Sequence, residues 1–250
     1  MTNSNGLMEG KVCLITGATS GIGEVTAREL ARMGCSVVIT ARDERKAEIA
    51  VDELRAESGS LKIDGLVADL SSQAQVRNLA AEFKRRHNRL DVLINKAGAV
   101  HLRRYLSQDG IEMTFAVNHL APFLLTNLLL ETLINSAPAR IITVASNSHE
   151  GQEIDIDDLE SQRSYWFMRA YGKSKLANIM FTYELDRRLA GSGVTANAVH
   201  PGFVGTNMGE NNGWLVKLFL SLASLWALNP EEGAETSVYL ASSPEVEGVS

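Results

Sequence analysis

Lys11-Val12-Cys13-Leu14-Ile15-Thr16-Gly17-Ala18-Thr19-Ser20-Gly21-Ile22-Gly23 joins an apolar run to a glycine-spaced turn, and Ile22 to Met33 continues at helical spacing until Gly34. An apolar run such as Lys11 to Thr16, bounded by turn residues, reads as a buried strand, and glycine suits the end of a helix. The three glycines therefore fall where a first strand turns into a first helix. Small residues there let backbone approach a pyrophosphate, while the helix N-terminus supplies unpaired N–H groups and partial positive charge. A glycine-rich turn alone is a weak signal. In this position it points to phosphate binding by Gly17, Thr19, Ser20, Gly21, Ile22 and Gly23.

The alternation continues outward from that crossover. Cys35 to Ala41 is an apolar, β-branched strand, and Ala47, Val51 and Leu54 mark a helix over Asp43 to Glu57. Leu61 to Val67 is a third strand, Val76, Leu79, Ala80 and Phe83 share one helix face, and Leu90 to Asn95 is a fourth strand. A long helical segment from Gly110 to Ile134 precedes a strand over Arg140 to Ala145. A loop through Ile154 to Leu159, a helix carrying Tyr171, and a strand over Val194 to Val199 follow, and Pro201-Gly202 then breaks the chain. Asn229-Pro230-Glu231-Glu232 combines a capping side chain, a first-turn proline and acids at the positive helix end, so a last helix runs to about Ala241. Strands separated by helices predict a parallel sheet covered on both faces, a doubly wound α/β single domain over residues 1–250.

Composition narrows the function classes. The chain has 250 residues, 45% hydrophobic and 22% charged, enough to bury a large core. Lys plus Arg number 24 against 30 Asp plus Glu, a net charge of −6, and no basic run carries interleaved aromatics. A nucleic-acid surface is thereby disfavoured. Cys13 and Cys35 lie in apolar strands and read as buried reduced thiols. His87, His101, His119, His149 and His200 lack metal-ligand spacing, so no metal site is expected. Met1 to Gly10 is polar and lacks a signal pattern, from which a cytoplasmic protein without a transmembrane anchor is expected.

Tyr171-Gly172-Lys173-Ser174-Lys175 brings a phenol and an ammonium onto one helix face a turn apart. Such pairs occur on many helices without a function. Their chemical use would be that a nearby cation favours the phenolate and draws its pKa down from ~10, letting tyrosine exchange a proton near neutral pH.

Gly17-x-x-x-Gly21-x-Gly23, Asn118, Ser146, Tyr171-x-x-x-Lys175 and Pro201-Gly202, in this order and on these elements, resemble the short-chain dehydrogenase/reductase family over nearly the whole chain. Val117 to Leu120, Val144 to His149, Tyr171 to Asn178 and Val199 to Gly202 are most similar to its retinol dehydrogenase and WW-domain oxidoreductase branch. The resemblance implies a Rossmann-type sheet of order 3-2-1-4-5-6 and chemistry on hydrophobic alcohols and carbonyls. It implies that Tyr171 is the general acid/base, that Lys175 lowers its pKa and holds the nicotinamide ribose, that Ser146 orients the substrate oxygen, and that Asn118 holds a water linking Lys175 to solvent. Outside this constellation, Ser146 and Asn118 would read as capping residues. Asp69-Leu70 would contact the adenine, Asn95, Ala97 and Gly98 the nucleotide after the fourth strand, and Pro201, Gly202 and Thr206 the nicotinamide side.

Cofactor choice rests on Thr40-Ala41-Arg42 at the tip of the second strand. An acid there would accept ribose hydroxyls, whereas Arg42 suits a 2′-phosphate, so NADP(H) is expected over NAD(H). Because Asp43 follows, Arg42 also reads as a solvated helix-start residue. The sequence departs from the family's Asn-Asn-Ala-Gly at Lys96, where a long cation replaces a short amide, with weaker sheet packing or altered ribose contacts as the expected effect. It also stops at Ser250, where the family continues into a seventh strand. Trp214 to Leu228 is the most apolar run, read as a lid over the substrate site, a structural helix or a membrane-surface contact. Phe123 to Leu130, apolar on nearly all sides, reads as buried under the sheet or at a subunit contact, and a homodimer or homotetramer is compatible with it. The expected protein is an oxidoreductase moving hydride between NADP(H) and a small hydrophobic alcohol, aldehyde or ketone. The alternative is a dinucleotide-binding sensor or scaffold with little turnover; an epimerase or dehydratase would need a substrate domain for which the chain has no room.

Overall fold

The computed structural model describes residues 6–202 and 229–250; Thr206 and the run Trp214 to Leu228 lie outside the described residues. Six strands form one parallel sheet: β1 (Val12–Thr16), β2 (Ser36–Ala41), β3 (Ile63–Val67), β4 (Val92–Asn95), β5 (Ala139–Val144) and β6 (Val194–Val199), in the order β3-β2-β1-β4-β5-β6. The helices between them are α1 (Gly21–Arg32), α2 (Glu44–Ser58), α3 (Gln73–Arg86), α4 (Met113–Phe115), α5 (Ala121–Asn135), α6 (Phe167–Leu189) and α7 (Pro230–Ser242).

Strand side chains alternate between the two faces, and this splits the core in two. Leu14, Val38, Leu66, Leu93 and Ile141 pack with Phe83, Leu125, Leu129 and Leu185 of α3, α5 and α6. Their neighbours Cys13, Ile15, Val37, Ile39, Ile94 and Ile142 pack with Leu30, Leu54 and Ala241 of α1, α2 and α7. The inner strands β1, β2, β4 and β5 are buried on both faces, which is why they are largely apolar, whereas the edge strands β3 and β6 carry partly exposed polar residues such as Asp64 and Asn197. Cys13 and Cys35 are buried free thiols.

Strand order reverses between β1 and β4, where Thr16 pairs with Asn95. Asn95 pairs in turn with Thr143, and Val144 with Val199, so the carboxyl ends of four strands finish side by side. In open sheets this crevice is where ligands bind.

Three expectations are refined. The helix expected from Gly110 begins instead after Glu112, because Gly110 has φ +77° in a turn closed by Ser107 N–H to Ile111 O at 2.7 Å. The buried Glu112 carboxylate then caps the helix, accepting from the N–H groups of Thr114 and Phe115 at 2.8 Å each. The helix is also not uniform, since Ala116–Leu120 forms a π-helical turn between α4 and α5. Met113–Asn135 is long and apolar enough to span a membrane by length and composition, yet half of it is buried in the fold, with Leu125 and Leu129 in the core and Phe123 exposed. Burial under the sheet thus accounts for Leu125 and Leu129 and leaves Phe123 on the surface. At the far edge, residues 249 and 250 lie along β6, the Val249 carbonyl accepting from Asn197 Nδ2 at 3.0 Å and Ser250 Oγ from Ala196 N–H at 3.1 Å.

Candidate active site

At the β1–α1 turn, Gly17 has φ +71°, and a Cβ on it would stand 2.7 Å from Ala97 Cα, so the turn and the loop after β4 touch back to back. A Cβ on Gly23 would meet Gly17 O at 2.2 Å, which holds α1 tight against its strand. Gly21, at φ +58°, faces open space. Ser20 is the N-cap of α1 but makes no side-chain capping bond, and Thr19 is exposed. The Ser20 hydroxyl is thus left uncommitted at the start of α1 beside open space, which fits a phosphate group, with Glu24 bonded to the Gly21 backbone in the same turn.

Thr16, which the sequence reading quoted only as part of the strand, ties the two halves of this crevice together. Its Oγ1 accepts from the N–H groups of Lys96 and Ala97 at 3.1 and 3.2 Å and donates to Ile94 O at 3.4 Å. A threonine ending an apolar strand beside a glycine was the available signal. Asn95 is buried, its Nδ2 donating to Thr126 Oγ1 on α5 at 2.9 Å, so it braces the sheet from below.

Tyr171 and Lys175 are buried on α6, with the Lys175 ammonium 5.5 Å from the Tyr171 ring centroid. Lys175 Nζ donates to Val144 O at 2.8 Å, pinning it to the end of β5. Ser146 follows β5 as the cap of the short 3-10 turn Asn147–His149, where its Oγ accepts from Ser148 N–H. Gly172 lets α6 settle on that turn, since a Cβ there would lie 2.2 Å from Ser148 O. Asn118 sits in the π-helical turn, fully buried. Its Oδ1 accepts from Ala99 N–H at 2.7 Å, its Nδ2 donates to Ala99 O and Ser174 Oγ, and its carbonyl accepts from Asn178 Nδ2 at 2.8 Å. The side-chain amide of Asn118 is thus committed to bracing the loop after β4 and α6.

Ser146, Tyr171 and Lys175 meet at a cavity of about 80 Å³ that Lys96, Gly98, Ile22, Pro201, Gly202 and His200 also line; Asn118 braces it from behind without lining it, and His200 had not been expected there. The electrostatics correct one expectation. Burial pushes the Tyr171 phenol up, opposed by the Ser146 side chain, so its pKa is raised where the neighbouring cation had been expected to lower it. Lys175 is brought down to about 8, first by burial and then by repulsion from Lys96. For Tyr171, desolvation outweighs the opposing hydrogen bond with Ser146.

Of the other expected nucleotide contacts, Asp69 spends a carboxylate oxygen on Ser71 N–H at 2.9 Å, and Leu70 packs at the edge of the core. Arg42 is exposed beyond β2. Asp43 is turned away to cap α2, accepting from Lys46 N–H at 2.9 Å, and among the described residues no carboxylate pairs with Arg42. No group of three or more His, Cys, Asp or Glu able to hold a metal occurs among the described residues.

A sequence model described as short chain dehydrogenase matches residues 11–213. Retinol dehydrogenase 14 of Homo sapiens is 48% identical, the match covering 98% of this chain and 78% of that protein. Polyprenol dehydrogenase of Homo sapiens is 42% identical over 96% of this chain and 74% of that protein. Among solved structures, a Pseudomonas aeruginosa RhlG/NADP active-site complex has a TM-score of 0.77 at 27% identity, covering 95% of this chain and 91% of its own. Actinorhodin polyketide ketoreductase with NADPH has a TM-score of 0.76 at 28% identity, over 96% and 93%.

Proposed function

Because this chain belongs to the short-chain dehydrogenase family, as an oxidoreductase of the retinol dehydrogenase-like branch, we propose that it moves hydride between NADP(H) and a hydrophobic alcohol or carbonyl compound, with Tyr171 as proton donor and acceptor. The observation that carries this reading is the convergence of Ser146, Tyr171 and Lys175 on one cavity at the carboxyl ends of the central strands. The dinucleotide supplies the hydride, and everything else falls to side chains. Ser146 orients the substrate oxygen. With its pKa raised, Tyr171 stays protonated at neutral pH and can give its proton to that oxygen as the carbonyl is reduced. Lys175, held by Val144 O, places a positive charge where the phenolate left behind is stabilised.

NADP(H) is supported by Arg42, whose guanidinium at the strand tip is not engaged by Asp43. The NADP and NADPH complexes of RhlG and the ketoreductase agree with it. An apolar substrate is supported by Tyr105, Leu106, Trp166 and Met168, which are exposed on two segments flanking the site. Tyr165 joins those segments by donating its hydroxyl to His101 O at 2.6 Å. The relatives named for retinol and polyprenol point the same way.

The test is titration with NADPH and NADH, then turnover on aliphatic, aromatic and isoprenoid aldehydes and ketones. Tyr171→Phe should bind dinucleotide and lose turnover. Arg42→Ala should lose about tenfold or more of the NADPH preference, the worth of a charge-assisted phosphate contact. A wild-type tenfold preference for NADH in catalytic efficiency would refute the assignment of NADP(H).

A further inference from the structure

Lys96 is a cation to which the described residues give no counter-charge. Its own N–H is fixed to Thr16 Oγ1, which sets where the side chain leaves the loop after β4, and the side chain lines the same cavity as Ser146, Tyr171 and Lys175. Among the described residues, no carboxylate lines that cavity. Lys175 has Val144 O as an acceptor, whereas among the described residues the Lys96 ammonium has neither a hydrogen-bond nor an ion-pair partner. Burial lowers the pKa of Lys96, and its charge in turn depresses that of Lys175. Two like charges thus share a small, poorly solvated space, and they act on whatever charge enters it.

We propose that Lys96 sets the balance of affinity between the oxidised and reduced dinucleotide, disfavouring the oxidised form. This inference rests on the dinucleotide reading above. The oxidised nicotinamide ring carries a positive charge, and accepting a hydride, one proton with two electrons, cancels it. The rest of the cofactor is unchanged, so a fixed cation near the ring repels one form and is indifferent to the other. Thermodynamic linkage makes the shift in potential of the bound couple proportional to the logarithm of the ratio of the two dissociation constants. Lys96 therefore moves the bound equilibrium toward reduced cofactor and carbonyl. A neutral amide at the same position would exert no such bias.

The effect has a readout that a packing role does not share. A side chain that merely shaped the loop would weaken or strengthen both forms together, whereas a charge changes their ratio. Dissociation constants for NADP+ and NADPH, and for NAD+ and NADH in parallel, are measured on wild type, Lys96→Gln, Lys96→Asn and Lys96→Arg, with circular dichroism to confirm the fold. The expected result is an oxidised-to-reduced ratio about tenfold lower in Lys96→Gln and Lys96→Asn, as for a unit charge within about a nanometre at an effective dielectric constant of ~20. That factor corresponds to about 30 mV for a two-electron couple. Lys96→Arg, which keeps the charge, should retain the wild-type ratio. An unchanged ratio in Lys96→Gln and Lys96→Asn, with both constants shifted equally, overturns the inference and leaves the dinucleotide reading standing. Failure of folded wild type to bind either form of either dinucleotide overturns both.

Discussion

Gly172→Ala separates helix propensity from site geometry. Alanine is favoured over glycine inside a helix by about 1 kcal/mol, so α6 considered alone would be stabilised. The structure reverses that sign. The new Cβ would lie 2.2 Å from Ser148 O, where ordinary contact begins near 3.4 Å, and 2.9 Å from Gln152 Cγ. Gln152 can swing aside. Ser148 O is backbone, so either the Asn147–His149 turn or α6 must shift by about an ångström, at a cost of roughly 1–3 kcal/mol. Ser146 caps this turn and moves with it, away from a Tyr171 that stays on the helix. A misplacement of that size at a reacting centre can cost on the order of 100-fold in rate. The assay is kcat and KM on any carbonyl substrate the wild type accepts, with dinucleotide affinity and urea unfolding on the same sample. The expected pattern is a large fall in kcat, a small change in dinucleotide affinity and a lower unfolding midpoint. Wild-type kcat together with higher stability would show that the turn yields freely and that the contact does not position Ser146.

Lys175→Met should stabilise the protein at neutral pH while abolishing turnover. With a folded pKa of about 8 against 10.5 for the free side chain, the native state favours the neutral amine. Below pH 8 both states bind the proton and the full penalty, about 3 kcal/mol less the lost bond to Val144 O, weighs on the wild type. Between pH 8 and 10.5 only the unfolded chain holds it, so wild-type stability should rise with pH and the advantage of the variant should shrink. Denaturant titrations across that window check this; a constant difference would contradict it. Thr16→Val keeps the shape but removes the acceptor of Lys96 and Ala97 N–H, and should cost about 1–3 kcal/mol together with dinucleotide affinity. Unfolding and binding titrations that both match wild type would show that water replaces the hydroxyl without loss.

Most of the architecture was legible because each layer has its own period. β6 runs over Val194–Val199 as its sequence reads, and Asn229 forms a reciprocal capping box with Glu232, accepting from its N–H at 2.8 Å. The segment from Gly110 was less legible, since apolar residues continue through a change of helix type and the real start is a buried acid at Glu112. At the site, Tyr171 and Lys175 could be found from their spacing on one helix face, whereas Ser146 was reached only through the family resemblance. The direction of the Tyr171 shift could not be found. Residue types show which charges are near, whereas the loss of water depends on how four strand ends and a helix close around the phenol. Thr16 and His200 were missed for a related reason: a strand-end threonine and a lone histidine acquire a role only from the crevice that surrounds them.

The π-helical turn Ala116–Leu120 acts as a phase adjustment in a rotating shaft. Each residue of a regular α-helix advances the direction of side chains by about 100°. A wider turn takes in an extra residue and lets the two ends of Met113–Asn135 be indexed separately, Asn118 toward Ala99 and Ser174, Leu125 and Leu129 toward the sheet. Losing one residue here would leave a good helix with its two halves about 100° out of step. Either the asparagine would leave the loop it braces or the leucines would leave the core. A change in the length of this turn cannot be absorbed locally.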